Sequence, residues 1–254
     1  MEPMTARQSQ RRKRSDAIAD EIKRWIMDEE IAPGSRLPQE RDLIERFRAS
    51  RGTIREALKS LEVQGLVAIR TGVSGGASVT VVSYARTVEL LSNYFYSSNI
   101  SLADIYAVRK VIEPELVASV AGRLDPTELR ALEASVEICA GEPLPGSVSR
   151  RQRIAELDFH DVLADACPNP MLGFYCRFIN SMLKNLAVCE AIYDEPQAEL
   201  TRQGHDYHTR LLQALRDGER ATARRLMREH IADAEKLMLA SAAKLERRFL
   251  VSDD

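Results

Sequence analysis

At 254 residues, with 44% hydrophobic and 29% charged side chains, the chain has an ordinary globular make-up and is long enough for two separate cores. Its apolar residues recur at helical spacing, and no run approaches the roughly 18 that would suggest a membrane span. The net charge of −2 hides an asymmetry: residues 1–80 carry 15 Lys and Arg against 12 Asp and Glu, and the remainder carries 21 against 26. A modestly basic amino-terminal part suits a polyanionic partner without identifying one. The start has a basic cluster, Arg11-Arg12-Lys13-Arg14, that runs into a charged amphipathic segment with no apolar stretch like that of a signal peptide, which predicts a cytoplasmic protein. Cys139, Cys167, Cys176 and Cys189 form no CxxC pair and lie in segments that read as helix, where small buried apolar residues account for them.

Ser15 is placed to cap a first helix with Ile18, Ile22, Trp25 and Ile26 on one face, and Pro33-Gly34 supplies the turn beyond it. Pro38 suits the first position of a short second helix with Leu43, Ile44 and Phe47 on its buried side. Ser50 can cap a third, in which Ile54, Ala57, Leu58 and Leu61 share a face and Gly65 marks the stop. This leaves Arg51, Thr53 and Arg55 on the exposed first turns, a donor-rich helix start. Leu66–Ile69 and Ser78–Val81 then read as two short strands around the glycine-rich segment Thr71–Gly76. Three helices and a hairpin make a winged helix-turn-helix.

From Tyr84 onward strand signals vanish. Helical stretches alternate with breakers at Ser101, Asp125-Pro126, Glu142–Gly146, Pro168–Pro170, Pro196 and Asp217-Gly218, which predict an all-α bundle of about seven helices, with residues 141–150 as a loop. The chain therefore divides into a reader at 1–82 and a helical domain at 83–254, joined by a short linker near 83–87. All four histidines lie in the second part. Glu156 and His160 stand one turn apart on an inward helix face, and His208 and His230 are each flanked by apolar residues of other helices. Buried imidazoles need partners, and three on separate helices beside a carboxylate suit a divalent metal as well as a satisfied core.

The run PGSRLPQERDLIERFRASRGTIREALKSLEVQGLVAIRTG closely resembles the DNA-binding domain of the GntR family of bacterial regulators, through its LPxER, SRxTxREAL, LExxGL and wing-glycine elements. The resemblance implies that Arg41, Arg51, Thr53 and Arg55 touch double-stranded operator DNA, with Thr71 and Gly72 approaching it from the wing. Arginine forks suit guanine edges in the major groove, and helix-start N–H groups suit phosphates. Two departures are Gln39, where a small residue is usual, and the longer glycine-rich wing. Arg7 and the Arg11–Arg14 cluster are expected to be an unspecific or solvated arm.

The segments AELDFHDVLADACPNP, HDYHTRLLQAL and ARRLMREH resemble the ligand-binding domain of the FadR subfamily, the FCD domain, many of whose members hold a divalent metal. The resemblance implies Glu156, His160, His208 and His230 as ligands, although aspartate is usual where Glu156 stands. Asp158 is the neighbouring carboxylate and should face away, and His205 is expected at the surface. Zn2+ suits this donor set, with Ni2+ and Mn2+ as alternatives. The segment VRKVIEPELVA matches the same domain. Its Arg109 and Glu113 read equally as an i,i+4 ion pair and as a pocket arginine for an effector carboxylate. The whole implies a homodimeric transcription regulator, in particular a repressor, controlled by a small carboxylate and not an enzyme. The alternatives are a metal-dependent hydrolase and a metal-free regulator that senses an acyl ligand. No GxSxG or HExxH motif supports the hydrolase.

Overall fold

The computed structural model describes residues 13–72, 75–96, 98, 100–140 and 147–250. The chain forms two compact units, Met1–Tyr94 and Phe95–Asp254. Arg7, Arg11, Arg12, the wing residues Val73 and Ser74, and the breaker at 142–146 lie outside the described residues.

In the first unit α1 (Arg14–Asp28), α2 (Glu40–Phe47) and α3 (Arg51–Val63) precede an antiparallel hairpin, β1 (Val67–Arg70) and β2 (Gly76–Val79). Ile18, Ile22, Leu43, Ile54, Ala57 and Leu61 form its core with Val67 and Val79 from the strands. Ser50 caps α3 as expected, its Oγ accepting from Thr53 N at 3.2 Å, and Gly65 takes the left-handed conformation (φ 77°) that ends the segment. Two expected starts differ. Helix α1 begins at Arg14 after Lys13, so Ser15 is inside it and buried, and α2 begins at Glu40, two residues after Pro38. Pro38 instead ends an extended segment that joins the hairpin edge: Leu37 N donates to Ala77 O at 2.9 Å and Val79 N to Ser35 O at 2.9 Å. That pairing, invisible to periodicity, draws the second strand two residues earlier than its β-prone run, to Gly76.

The rest of the described chain is helical: α4 (Tyr84–Tyr96), α5 (Leu102–Val120), α6 (Pro126–Ile138), α7 (Ser147–Asp165), α8 (Pro170–Asn185), α9 (Ala187–Tyr193), α10 (Ala198–Arg216) and α11 (Arg220–Leu250). This is one helix more than the breakers predict. A single extended residue, Leu186, separates α8 from α9 without any glycine or proline to announce it. The stretch read as a linker is the first turn of α4, where Arg86 donates to Val63 O at 3.1 Å. Capping boxes at Ser101 with Asp104 and at Asp125 with Glu128 start α5 and α6, and Asn169 caps α8, each at a breaker the sequence marks. In this unit α5 lies along α11, α10 packs on α11 and α6, and α7 packs on α6 and α8. The inward faces of α5, α7, α10 and α11 enclose the polar residues described next.

Candidate metal centre and DNA-binding face

His160 on α7, His208 on α10 and His230 on α11 are each at most 5% exposed, and their Nε2 atoms meet: His208 lies 3.3 Å from His160 and 3.2 Å from His230, which lies 3.3 Å from His160. Packing fixes the rings. Phe159 stacks on His208 with centroids 4.1 Å apart, and His160 stacks on His230 at 5.3 Å. Burial, foremost, and the neighbouring imidazoles push His208 and His230 well below the usual histidine range, so both are neutral. Neutral imidazole is the metal-binding form.

Behind His160, Glu113 on α5 sets its carboxylate against Nδ1, with Oε2 at 2.5 Å. A carboxylate on that side favours the ring orientation in which Nε2 faces the other two rings. Glu113 is held in turn by Arg109, one turn earlier, whose Nε donates to Oε1 at 2.5 Å and Nη2 to Oε2 at 3.4 Å. Burial alone would raise the Glu113 pKa, but Arg109 and His160 outweigh it and hold the carboxyl well below the usual range. Arg109 is held charged by the same pairing in spite of its burial.

Glu156, one turn before His160, is buried but lies outside the group formed by the three histidines. Its carboxylate forms an ion pair with Arg153, and neither oxygen accepts an aligned hydrogen bond. It fits against α10 because Gly204 has no side chain, for a Cβ there would stand 2.9 Å from Oε2. Gly204 and His208 are one turn apart on α10, facing Glu156 and His160 on α7. Asp158 faces away, as expected, and accepts from Lys184 at 2.6 Å. His205 is half-buried rather than exposed, and stands outside the histidine group.

These residues fit a divalent cation. An ion about 2.1 Å from each Nε2 would see the three nitrogens at angles of about 100°, between octahedral and tetrahedral values. The Glu156 carboxylate, buried without hydrogen bonds in a space a Cβ would fill, is the oxygen donor nearest in sequence to them, one turn before His160, and stands outside their group. Sequence spacing pairs Glu113 with Arg109 but gives no sign that it reaches His160, and nothing in the spacing marks Arg153 or Gly204. The missing signal is the packing of α5 against α7.

In the first unit four of the six candidate DNA residues share one groove. Arg41, Arg55, Thr71 and Gly72 line a concave groove that runs from the start of α2 past α3 to the hairpin, together with Lys59 and Arg70. Arg51 and Thr53 occupy the first turn of α3, where Thr53 Oγ1 lies 2.8 Å from Ser50 Oγ. The arginines are lightly held: Arg41 is 84% exposed with Glu45 at 3.6 Å, and Arg55 is 70% exposed with Glu40 at 3.7 Å.

Residues 14–75 match the model for bacterial regulatory proteins of the gntR family, and residues 104–233 match that of the FCD domain, which covers about half of the chain. The chain belongs to the FCD branch of the GntR family. It is a DNA-binding transcription regulator and not an enzyme, and the hydrolase reading gives way. Among its relatives, the HTH-type transcriptional repressor NanR of Enterobacter sp. (strain 638) is 27% identical over 225 residues, covering 87% of this chain and 84% of that one. The HTH-type transcriptional regulator LutR of Bacillus subtilis (strain 168) is 23% identical over 214 residues, covering 84% and 95%. The solved structure of Streptococcus agalactiae GntR shares the fold, with a TM-score of 0.59 at 22% identity over 87% of this chain and 99% of that one. Among the described residues no helix is long and apolar enough to cross a membrane.

Proposed function

We propose that this protein is a cytoplasmic, homodimeric repressor whose affinity for operator DNA is changed by a small carboxylate bound at a metal centre in its helical unit. The observation that carries the reading is the meeting of three buried imidazoles at 3.2–3.3 Å, two of them, His208 and His230, held neutral by burial. Three such groups with no other role would be a costly core, and an apolar acyl ligand would leave them unsatisfied. His160, His208 and His230 would hold one divalent cation, zinc by donor type, with Glu156 as the oxygen ligand. The cation supplies an electrophilic point at which an acid group can bind.

The chain's own residues do the rest. Glu113 keeps His160 in the orientation that presents Nε2, and the apolar faces of α5, α7, α10 and α11 exclude water. Arg109 gives the interior positive charge toward the acid, although Glu113 occupies its Nε and Nη2 and leaves only the Nη1 edge. On the DNA side, Arg51 and Arg55 would read base edges, Arg41 and Thr53 would hold phosphates, and Thr71 with Gly72 would let the wing approach. A two-fold dimer matches an operator of two half-sites. Ligand and DNA communicate only if the acid binds the DNA-competent and incompetent forms unequally, with a typical coupling of about 1–3 kcal/mol.

Elemental analysis of the purified protein tests the centre, with one divalent ion per chain expected. A metal-free protein whose melting temperature does not respond to zinc would overturn it. The regulatory link is tested by DNA release in a gel shift, where His208→Ala is expected to bind operator but lose its response to the acid.

A further inference from the structure

We propose that Arg153 is the anchor for the effector's acid group, and that it becomes available when Glu156 leaves it for the cation. The inference rests on the metal reading above and concerns what that reading leaves unassigned.

Arg153 lies seven residues before His160, and so on the same face of α7, and its side chain is 9% exposed. Its Nε and Nη1 have no hydrogen-bond partner, whereas Arg109, also buried, gives two donors to Glu113. A guanidinium out of water with two idle donors is expensive unless a ligand uses them. The positions of those donors are informative. Nε and Nη1 lie on different edges of the planar group, and Nη2, the nitrogen now against Glu156, completes each edge. Releasing Glu156 would therefore open a full two-pronged fork of the kind that receives a carboxylate.

The charge balance points the same way. Among the described residues of this unit the buried charged side chains are Arg109 and Arg153 against Glu113 and Glu156, which cancel. A divalent cation in their midst leaves two positive charges uncompensated in a water-poor interior, and an anionic ligand offsets them. Arg153 is close enough to His208 and His230 for its charge to be felt at both rings, after burial and their nearer neighbours. Its own charge is disfavoured by burial, and Tyr193 and Tyr106 do not fully offset that. A carboxylate with one oxygen toward the cation and its other edge on Arg153 satisfies both groups.

The test uses the full-length protein loaded with Co2+, whose visible bands respond to a change of ligand, titrated with acetate and with succinate. The unmodified protein is expected to show a saturable band shift. Arg153→Met should raise the apparent Kd for both acids about tenfold or more without weakening Co2+ binding, and Arg153→Lys, which keeps the charge but not the fork, should fall between. Unchanged acid affinity in Arg153→Met would overturn the assignment, as would the absence of any carboxylate response in the loaded, unmodified protein. Should Arg153→Met not fold, Arg153→Lys decides: affinity within twofold of the unmodified protein rejects the fork. Failure to bind Co2+ at all is a separate result, which removes the metal reading and this inference with it.

Discussion

The two units place their candidate functional side chains in opposite ways. In the first, Arg41 and Arg55 stand in solvent with distant acidic neighbours at 3.6 and 3.7 Å, and the core beneath them would form without them. In the second, Arg109, Glu113, His160 and His208 are buried against one another, so each belongs to the packing as well as to the candidate site. A surface reader can thus lose function without losing fold, whereas substitution of a buried, mutually packed side chain tends to carry a cost in packing as well. Substitutions at either end can break or sharpen that contrast.

The largest effect is expected from His208→Ala, which removes one of the three proposed ligands and leaves a gap against Phe159. Metal affinity should fall at least about 100-fold, and the helical unit should melt earlier. An unchanged zinc affinity by calorimetry would detach His208 from the centre. Glu113→Gln keeps the shape but removes the charge that orients His160 and pairs with Arg109, so metal affinity should drop about 10–100-fold. If only stability changed, Glu113 would be a packing partner of Arg109 and nothing more. In the first unit, Arg55→Ala should cost about 1–3 kcal/mol of specific operator binding with the melting temperature preserved. A lowered melting temperature would erase the contrast between the units, and full operator affinity would take α3 off the DNA. The smallest effect is that of Ser50→Ala, where loss of the α3 cap should cost about 1 kcal/mol of stability, read by denaturant titration of the first unit's Trp25 fluorescence.

Much of this was legible because it is local. Capping residues Ser50, Ser101, Asp125 and Asn169 act within three residues of themselves, so their hydrogen bonds follow from spacing. Ser15 and Pro38 misled because each also suits another local role, one inside a helix and one in an extended edge. The same limit applies at Leu186, where neighbouring packing breaks the helix and no residue type signals it.

Although it divided the chain at 82/83 where the compact units divide at 94/95, the sequence by itself determined an amino-terminal three-helix and hairpin region with outward arginines, and three histidines on separate inward faces. These depend on helical periodicity and short-range hydrogen bonding, which a linear pattern encodes. Only the tertiary structure decided that the three Nε2 atoms meet, that Glu113 on α5 holds His160 on α7, and that Gly204 makes room for Glu156 beside Arg153. Each of those is a contact between helices distant in the chain. Its geometry is set by how two faces pack, and the spacing of residues within either helix carries no record of it.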